Sequence, residues 1–324
     1  MTYAFQAEGL VKRFGETTAV AGIDLAARPG TVLGMLGPNG AGKTTAVRIL
    51  ATLMQPDGGR ATVCGYDVVR EAPRVRERIG ITGQYASVDE DLTGRENLVL
   101  IGELLNLRCR GARARTTQVL RRFGLDDAAE RKVAAYSGGM RRRLDLAASL
   151  MGDPAVVYLD EPTTGLDPGK RGEVWRMIRS MTDSGGTVLL TTQYLEEADA
   201  LADDIVVNDH GKVIAQGTAA ELKALVGGQT LDVHPKEPTR LNEVAAILTT
   251  VAGRQAEIRN RSVVTAQVEG DAALHETVRQ LAAAGIAVTE LALRLPSLDE
   301  VFFALTGHHT ERNDHEDGDE LVPL

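Results

Sequence analysis

Residues 37–45, GPNGAGKTT, combine glycines, a lysine and two hydroxyls at a spacing suited to holding phosphate. They match G-x-x-x-x-G-K-[ST] in full. The apolar run TVLGML precedes them and the helical pattern TTAVRILATLM follows, which is the strand–loop–helix setting such a loop requires. Gly37, Gly40 and Gly42 let the backbone turn tightly and bring its amides close to an anion. Lys43 supplies a point charge for β- and γ-phosphates on a stem that follows changing geometry. Thr44 offers a hydroxyl to Mg²⁺, and the helix starting there turns its positive end toward the anion. Pro38, Asn39, Ala41 and Thr45 complete the nucleotide-binding stretch.

The carboxylates come from AVVYLDEP, residues 155–162. Residues 156–159 read as a buried strand, and Asp160 emerges at its carboxyl end, where sheets of this kind bind ligands. Asp160 is expected to hold Mg²⁺ through its water shell. Glu161 follows directly, and consecutive strand residues face opposite ways. Two readings of it stand: a surface acid after a strand, or a general base for water if the chain turns there. Lys43 upstream favours the base. Another apolar run, TVLL, ends in TTQYLEEAD at 191–199, presenting two hydroxyls and then the amide of Gln193. An amide donates hydrogen bonds without titrating near neutral pH, as an imidazole would.

A second anion site is written in YSGGMRRRLDLAASLMGDP. Ser137 is a good N-cap, Gly138 and Gly139 free the first turn, and Met140, Leu144, Ala147, Ala148 and Met151 recur at helical spacing. Read alone, this is a capped helix and nothing more. Beside a phosphate loop its free amides make a second anion site, which one nucleotide does not need from the same chain. That points to a neighbour's nucleotide.

These residues need a scaffold, and the chain has room for one: 324 residues, 43% apolar, enough for an α/β domain and a smaller second domain. Strands alternate with helical stretches up to residue 226, the pattern of a parallel sheet, with a helical insertion at about 90–151. After VGGQ, the order βαββαβ over 227–306 reads as a ferredoxin-like unit closed by a short helix in PSLDEVFFALTG. Residues 307–324 are acidic and aperiodic, and are expected to be disordered. A net charge of −9 argues against nucleic acid as a partner. Cys64 and Cys109 show no metal spacing or disulfide framework, no apolar stretch reaches a membrane span, and the N-terminus lacks a signal pattern. A reduced, cytoplasmic setting is expected.

The order of P-loop, SGG before a helix, strand-Asp-Glu and TTGLDP resembles ABC-type ATPases across about residues 3–226. The resemblance implies ATP and Mg²⁺ as ligands and a homodimer in which Ser137, Gly138 and Gly139 cap the γ-phosphate of the opposite protomer. It makes Gln84, in GITGQYASVDEDLT, the glutamine near Mg²⁺ that joins the core to the helical insertion. It makes Asp167, in GLDP, the acid that communicates across the dimer, and puts Phe14 where an aromatic stacks on adenine, although Phe14 also suits a core position. Two positions depart from the family pattern: Met140 replaces the signature glutamine and Gln193 the switch histidine. Glu161 is then expected to be the base, with Gln193 facing the γ-phosphate to orient and polarise only. Three jobs fit an ABC ATPase. TTQYLEEADALADDIVVNDHGKVIAQGTAAELK and PSLDEVFFALTG are similar to the daunorubicin/doxorubicin-resistance exporter ATPases, which implies a subunit at the cytoplasmic membrane face, driving efflux of a hydrophobic drug through a separate permease. A soluble ATPase acting on ribosomes or DNA would be expected to carry two P-loops, coiled coils or zinc modules, which are not read here. Import shares the same motifs.

Overall fold

The computed structural model describes residues 3–83, 88–226, 229–268, 270–294 and 297–306. Among these, no helix is long and apolar enough to cross a membrane. The chain divides into two compact units, one up to Ala219 and one from Ala220.

The first unit is built on a six-stranded sheet. Its strands are β3 (Val32–Leu36), β6 (Ile79–Thr82), β7 (Val156–Asp160), β8 (Thr187–Thr192), β9 (Asp204–Asp209) and β10 (Lys212–Gly217). They lie in the order β10-β9-β3-β8-β7-β6, parallel except for the β9–β10 hairpin. Every residue of β3, β7 and β8 is buried, as the continuous apolar runs require of strands covered on both faces. Alternate residues divide between two cores. Leu33, Met35, Tyr158 and Leu189 face α1 (Lys43–Leu50) and a second sheet, while Val32, Val157, Leu159 and Leu190 face helices on the other side.

That second sheet is antiparallel, in the order β2-β1-β4-β5, from β1 (Phe5–Phe14), β2 (Thr17–Ala27), β4 (Gly58–Val63) and β5 (Tyr66–Asp67). The strand-and-helix alternation did not announce it. The β1–β2 register shifts between Ala7 and Leu10 and twice more, so the period-two pattern is broken along its length. A short helix, α2 (Ala72–Arg76), leads to β6. Between β6 and β7 stand α3 (Gly94–Leu104), α4 (Cys109–Arg122) and α5 (Gly138–Ser149). Thr93 and Glu96 form a reciprocal capping box on α3, and Leu98, Val119, Phe123 and Leu144 tie the three helices into one core. After β7 come α6 (Pro168–Asp183) and, beyond β8, α7 (Leu195–Leu201).

The second unit holds α8 (Ala219–Val226), β11 (Gln229–Pro235), α9 (Leu241–Ala252), β12 (Glu257–Arg259), β13 (Val263–Val268), α10 (Asp271–Ala283), β14 (Val288–Arg294) and α11 (Leu298–Thr306). Its antiparallel sheet runs β12-β13-β11-β14, the ferredoxin-like order, over a core of Leu231, Val233, Val244, Leu248 and Val264. The division between units falls after Ala219, the first residue of α8, and the sequence reading draws its line at the end of that helix, at 226. Ser297 caps α11 and accepts from the Glu300 amide at 3.2 Å. Residues 307–324 lie outside the described residues.

Candidate functional site

The sheet register collects the chemistry at one end. Leu36 pairs with Thr192 and Thr191 pairs with Asp160, so β3, β8 and β7 release their chains side by side at their carboxyl ends. Beyond β3 the chain folds into the phosphate loop and enters α1. Two glycines there are demanded by space as well as by turning. A Cβ on Gly37 would stand 2.2 Å from the Asn208 carbonyl oxygen, and one on Gly42 2.1 Å from that of Ala19. Gly42 also has φ +91°, in the left-handed region. Gly42 caps α1 without any side-chain acceptor, so the first amides of the helix remain available to an anion. Fully buried Asn208 donates to the Ala41 carbonyl from behind and braces the loop.

A cavity of about 410 Å³ opens over this loop, lined by Phe14, Ala19, Asn39, Gly40, Gly42, Lys43, Thr44, Thr45, Asp160 and Glu161. Lys43 Nζ donates to the carbonyls of Gly37 (2.7 Å) and Pro38 (3.0 Å) and lies 3.7 Å from Glu161 Oε1. Burial lowers its pKa, and the Glu161 and Asp160 carboxylates work against that shift. Thr44 Oγ1 donates to Asp160 Oδ1 at 3.2 Å, and Thr191 Oγ1 donates to the same oxygen at 2.5 Å. Asp160 is thus oriented by two hydroxyls from different elements.

Glu161 lines the same cavity as Asp160 because its backbone is left-handed, with φ 49°. An extended continuation would have turned it to the opposite face. Its amide donates to the Thr191 carbonyl at 3.0 Å, and Thr164 Oγ1 donates to its Oε2 at 3.2 Å. Phe14, half exposed at the end of β1, forms one wall, with the Lys12 ammonium 5.7 Å from its ring centre.

Other expected site residues stand apart from that cavity. Gln193, half-buried one residue beyond β8, does not line it. Neither do Ser137, Gly138, Gly139 or Asp167. Ser137 caps α5, its Oγ accepting from the Met140 amide at 3.3 Å, and both Ser137 and Gly138 are exposed. Asp167 caps α6 and pairs with Lys170 at 2.5 Å. Gln84 lies outside the described residues. Among the described residues, no group of three or more His, Cys, Asp or Glu gathers as a metal site.

Several residues of this region escaped the motifs. Asn208 carries no signal beyond its place in an apolar strand, and the Thr191 hydroxyl, read only as one of two at a strand end, had no partner assigned to it. Arg171 donates to the Leu166 carbonyl at 3.1 Å and stacks 4.6 Å over the Tyr194 ring, joining the start of α6 to the residue after Gln193. Glu197 on α7 is fully buried and accepts from the Trp175 indole at 3.2 Å. Arg142 reaches from α5 to the backbone around Glu161.

The family described as ABC transporter matches residues 20–164, and the ATP-binding protein DrrA1-3-like C-terminal domain matches residues 217–306. The chain is 54% identical over 317 residues to the daunorubicin resistance ATP-binding protein DrrA2 of Streptomyces coeruleorubidus, covering 96% of this chain and 98% of that one. It is 47% identical to the daunorubicin/doxorubicin resistance ATP-binding protein DrrA of Streptomyces peucetius, covering 98% and 97%. A Nod factor export ATP-binding protein I of Ralstonia nicotianae is 46% identical, covering 66% and 67%. Among solved structures, cbiO1 of Clostridium perfringens, part of the ABC transporter complex cbiONQ, superposes with TM-score 0.64 at 26% identity, covering 70% and 94%. An ATP-binding cassette of an ABC transporter in its ADP conformation gives 0.63 at 26% identity, covering 68% and 93%.

Proposed function

The chain belongs to the daunorubicin-resistance family of ABC transporter ATP-binding proteins, and from that premise we propose how its residues perform the family's work. It is the ATP-hydrolysing subunit of an ABC exporter. The observation that carries the residue assignment is the meeting of Lys43, Thr44, Asp160 and Glu161 in one cavity, with the α5 cap outside it.

ATP enters with its adenine against Phe14 and its phosphates over the Gly37–Gly42 amides. The phosphates compete with the Gly37 and Pro38 carbonyls for the Lys43 ammonium. Thr44 and Asp160 present a hydroxyl and a carboxylate to each other, hard oxygen donors of the kind Mg²⁺ takes. Thr44 and Asp160 would hold Mg²⁺, which would supply charge neutralisation to the phosphates. Glu161 accepts the proton of the attacking water as its oxygen bonds to γ-phosphorus, and ADP departs with the electron pair of the broken bond. Gln193 and Gln84 orient groups around the γ-phosphate. The free amides of α5 at Ser137, Gly138 and Gly139 serve the triphosphate of a second copy, and Asp167 acts across the same dimer.

The permease is a separate membrane subunit and this chain sits against its cytoplasmic side. The transported compound is a hydrophobic drug or antibiotic, supported by the resistance proteins that the chain resembles over nearly its whole length. Those relatives do not favour action on ribosomes or DNA. Light scattering of Glu161→Gln with saturating MgATP tests this reading. A stable dimer is expected, with hydrolysis down about 10²–10⁴-fold, the usual worth of a general base. Single chains only under those conditions would overturn the shared-site reading.

A further inference from the structure

Arg142, in the arginine run that follows SGGM, has no role assigned above, yet its guanidinium makes three contacts at the carboxyl end of the sheet. Nε donates to the Pro162 carbonyl at 2.6 Å, Nη2 to the Glu161 carbonyl at 3.1 Å and Nη1 to the Gly83 carbonyl at 3.4 Å. Burial works against its charge, and the carboxylates of Asp145, Glu197 and Asp160 favour it. A planar fork of five donors reaches separated carbonyls from several fixed nitrogens, whereas an ammonium donates from one nitrogen only.

The residue it grips is the one with an unusual backbone. Glu161 has φ 49°, a region that non-glycine residues seldom occupy and that persists only where the surroundings hold it. The same conformation turns the Glu161 carboxylate into the cavity beside Asp160. We propose that Arg142 is the positioning residue of the catalytic carboxylate: by bridging the carbonyls of Glu161 and Pro162 it holds Glu161 in the turned conformation.

A consequence follows from where Arg142 sits. It lies in the second turn of α5, the helix whose capped start is offered to the partner's nucleotide. A shift of α5 therefore moves the base of its own chain, which links the two composite sites of a dimer. The proposal rests on the reading of Glu161 as base.

The test compares Arg142→Lys and Arg142→Gln with wild type and Glu161→Gln in steady-state and single-turnover ATP hydrolysis, alongside ATP affinity and melting temperature. Both Arg142 variants are expected to bind ATP within about twofold of wild type and to lose about 100-fold in kcat, as a ~1 Å misplacement does. Combined with Glu161→Gln they are expected to lose nothing further, because both changes remove one function. Arg142→Lys keeps the cation and the packed stem, so it supplies the answer if Arg142→Gln does not fold. A wild-type kcat in folded Arg142→Lys, or a loss that multiplies on top of Glu161→Gln, overturns the proposal. Unimpaired turnover in Glu161→Gln alone overturns the base reading and the proposal with it, and is a separate result.

Discussion

Helices α1 and α5 start from the same raw material, glycines at a turn and a first set of unpaired amides, but they are finished differently. Gly42 gives α1 no side-chain cap, and Lys43, Thr44, Asp160 and Glu161 line the cavity at that end. At α5, Ser137 already takes one amide, and the exposed start lies outside the cavity. One helix start is a site with its own cation and carboxylates. The other offers amides alone, and becomes useful when a nucleotide is brought to it. The difference is what supports the proposal of a second copy.

Substitutions at each helix start can break this contrast. Lys43→Met carries the largest expected effect: kcat/KM for ATP falls by about 10³-fold or more, since a charge aimed at the transferring phosphoryl group is lost. Its stability should move the other way. Burial lowers the Lys43 pKa from 10.5, so between the folded value and 10.5 the unfolded chain binds the extra proton. Wild-type stability therefore gains from this group as pH rises through that window. Melting wild type and Lys43→Met against pH checks the sign, for the variant should lack that gain.

Gly138→Asp sharpens the comparison at α5. Gly138 has open space around its would-be Cβ and no left-handed φ, so aspartate fits. A carboxylate in the first turn should raise helix stability by about 0.3–1 kcal/mol while repelling a triphosphate. Turnover is expected to fall about 100-fold, as on losing an oxyanion donor, with ATP still bound at the P-loop of the same chain. Equal loss of binding and turnover would mean that α5 acts within its own chain. Phe14→Ala should have the smallest effect: about a fivefold rise in KM, from roughly 1 kcal/mol of lost base stacking at a half-exposed ring, with kcat and melting temperature unchanged. An unchanged KM would return Phe14 to an ordinary wall residue.

The phosphate loop could be read because its parts are contiguous: glycine, lysine and threonine specify a local turn whatever surrounds them. The Ser137 cap and the ferredoxin-like order were legible for the same reason, each being local spacing of capping and apolar residues. The antiparallel sheet was not, because the register shifts in β1 and β2 interrupt the alternation that marks strands. Glu161 could be named but not aimed. Strand geometry alone turns it away from Asp160, and the φ of one residue reverses that.

The sequence by itself therefore determined the anion-binding turns and the kinds of groups available to them, since backbone conformation at glycines and helix starts is set within a few residues. Only the tertiary structure decided which groups meet. Asp160 meets Thr44 and Thr191, and Glu161 faces Lys43, while Arg142 crosses from α5 to hold the turned backbone. Those meetings join residues far apart in the chain, and they depend on the order and register in which β3, β8 and β7 pair, which local spacing does not encode.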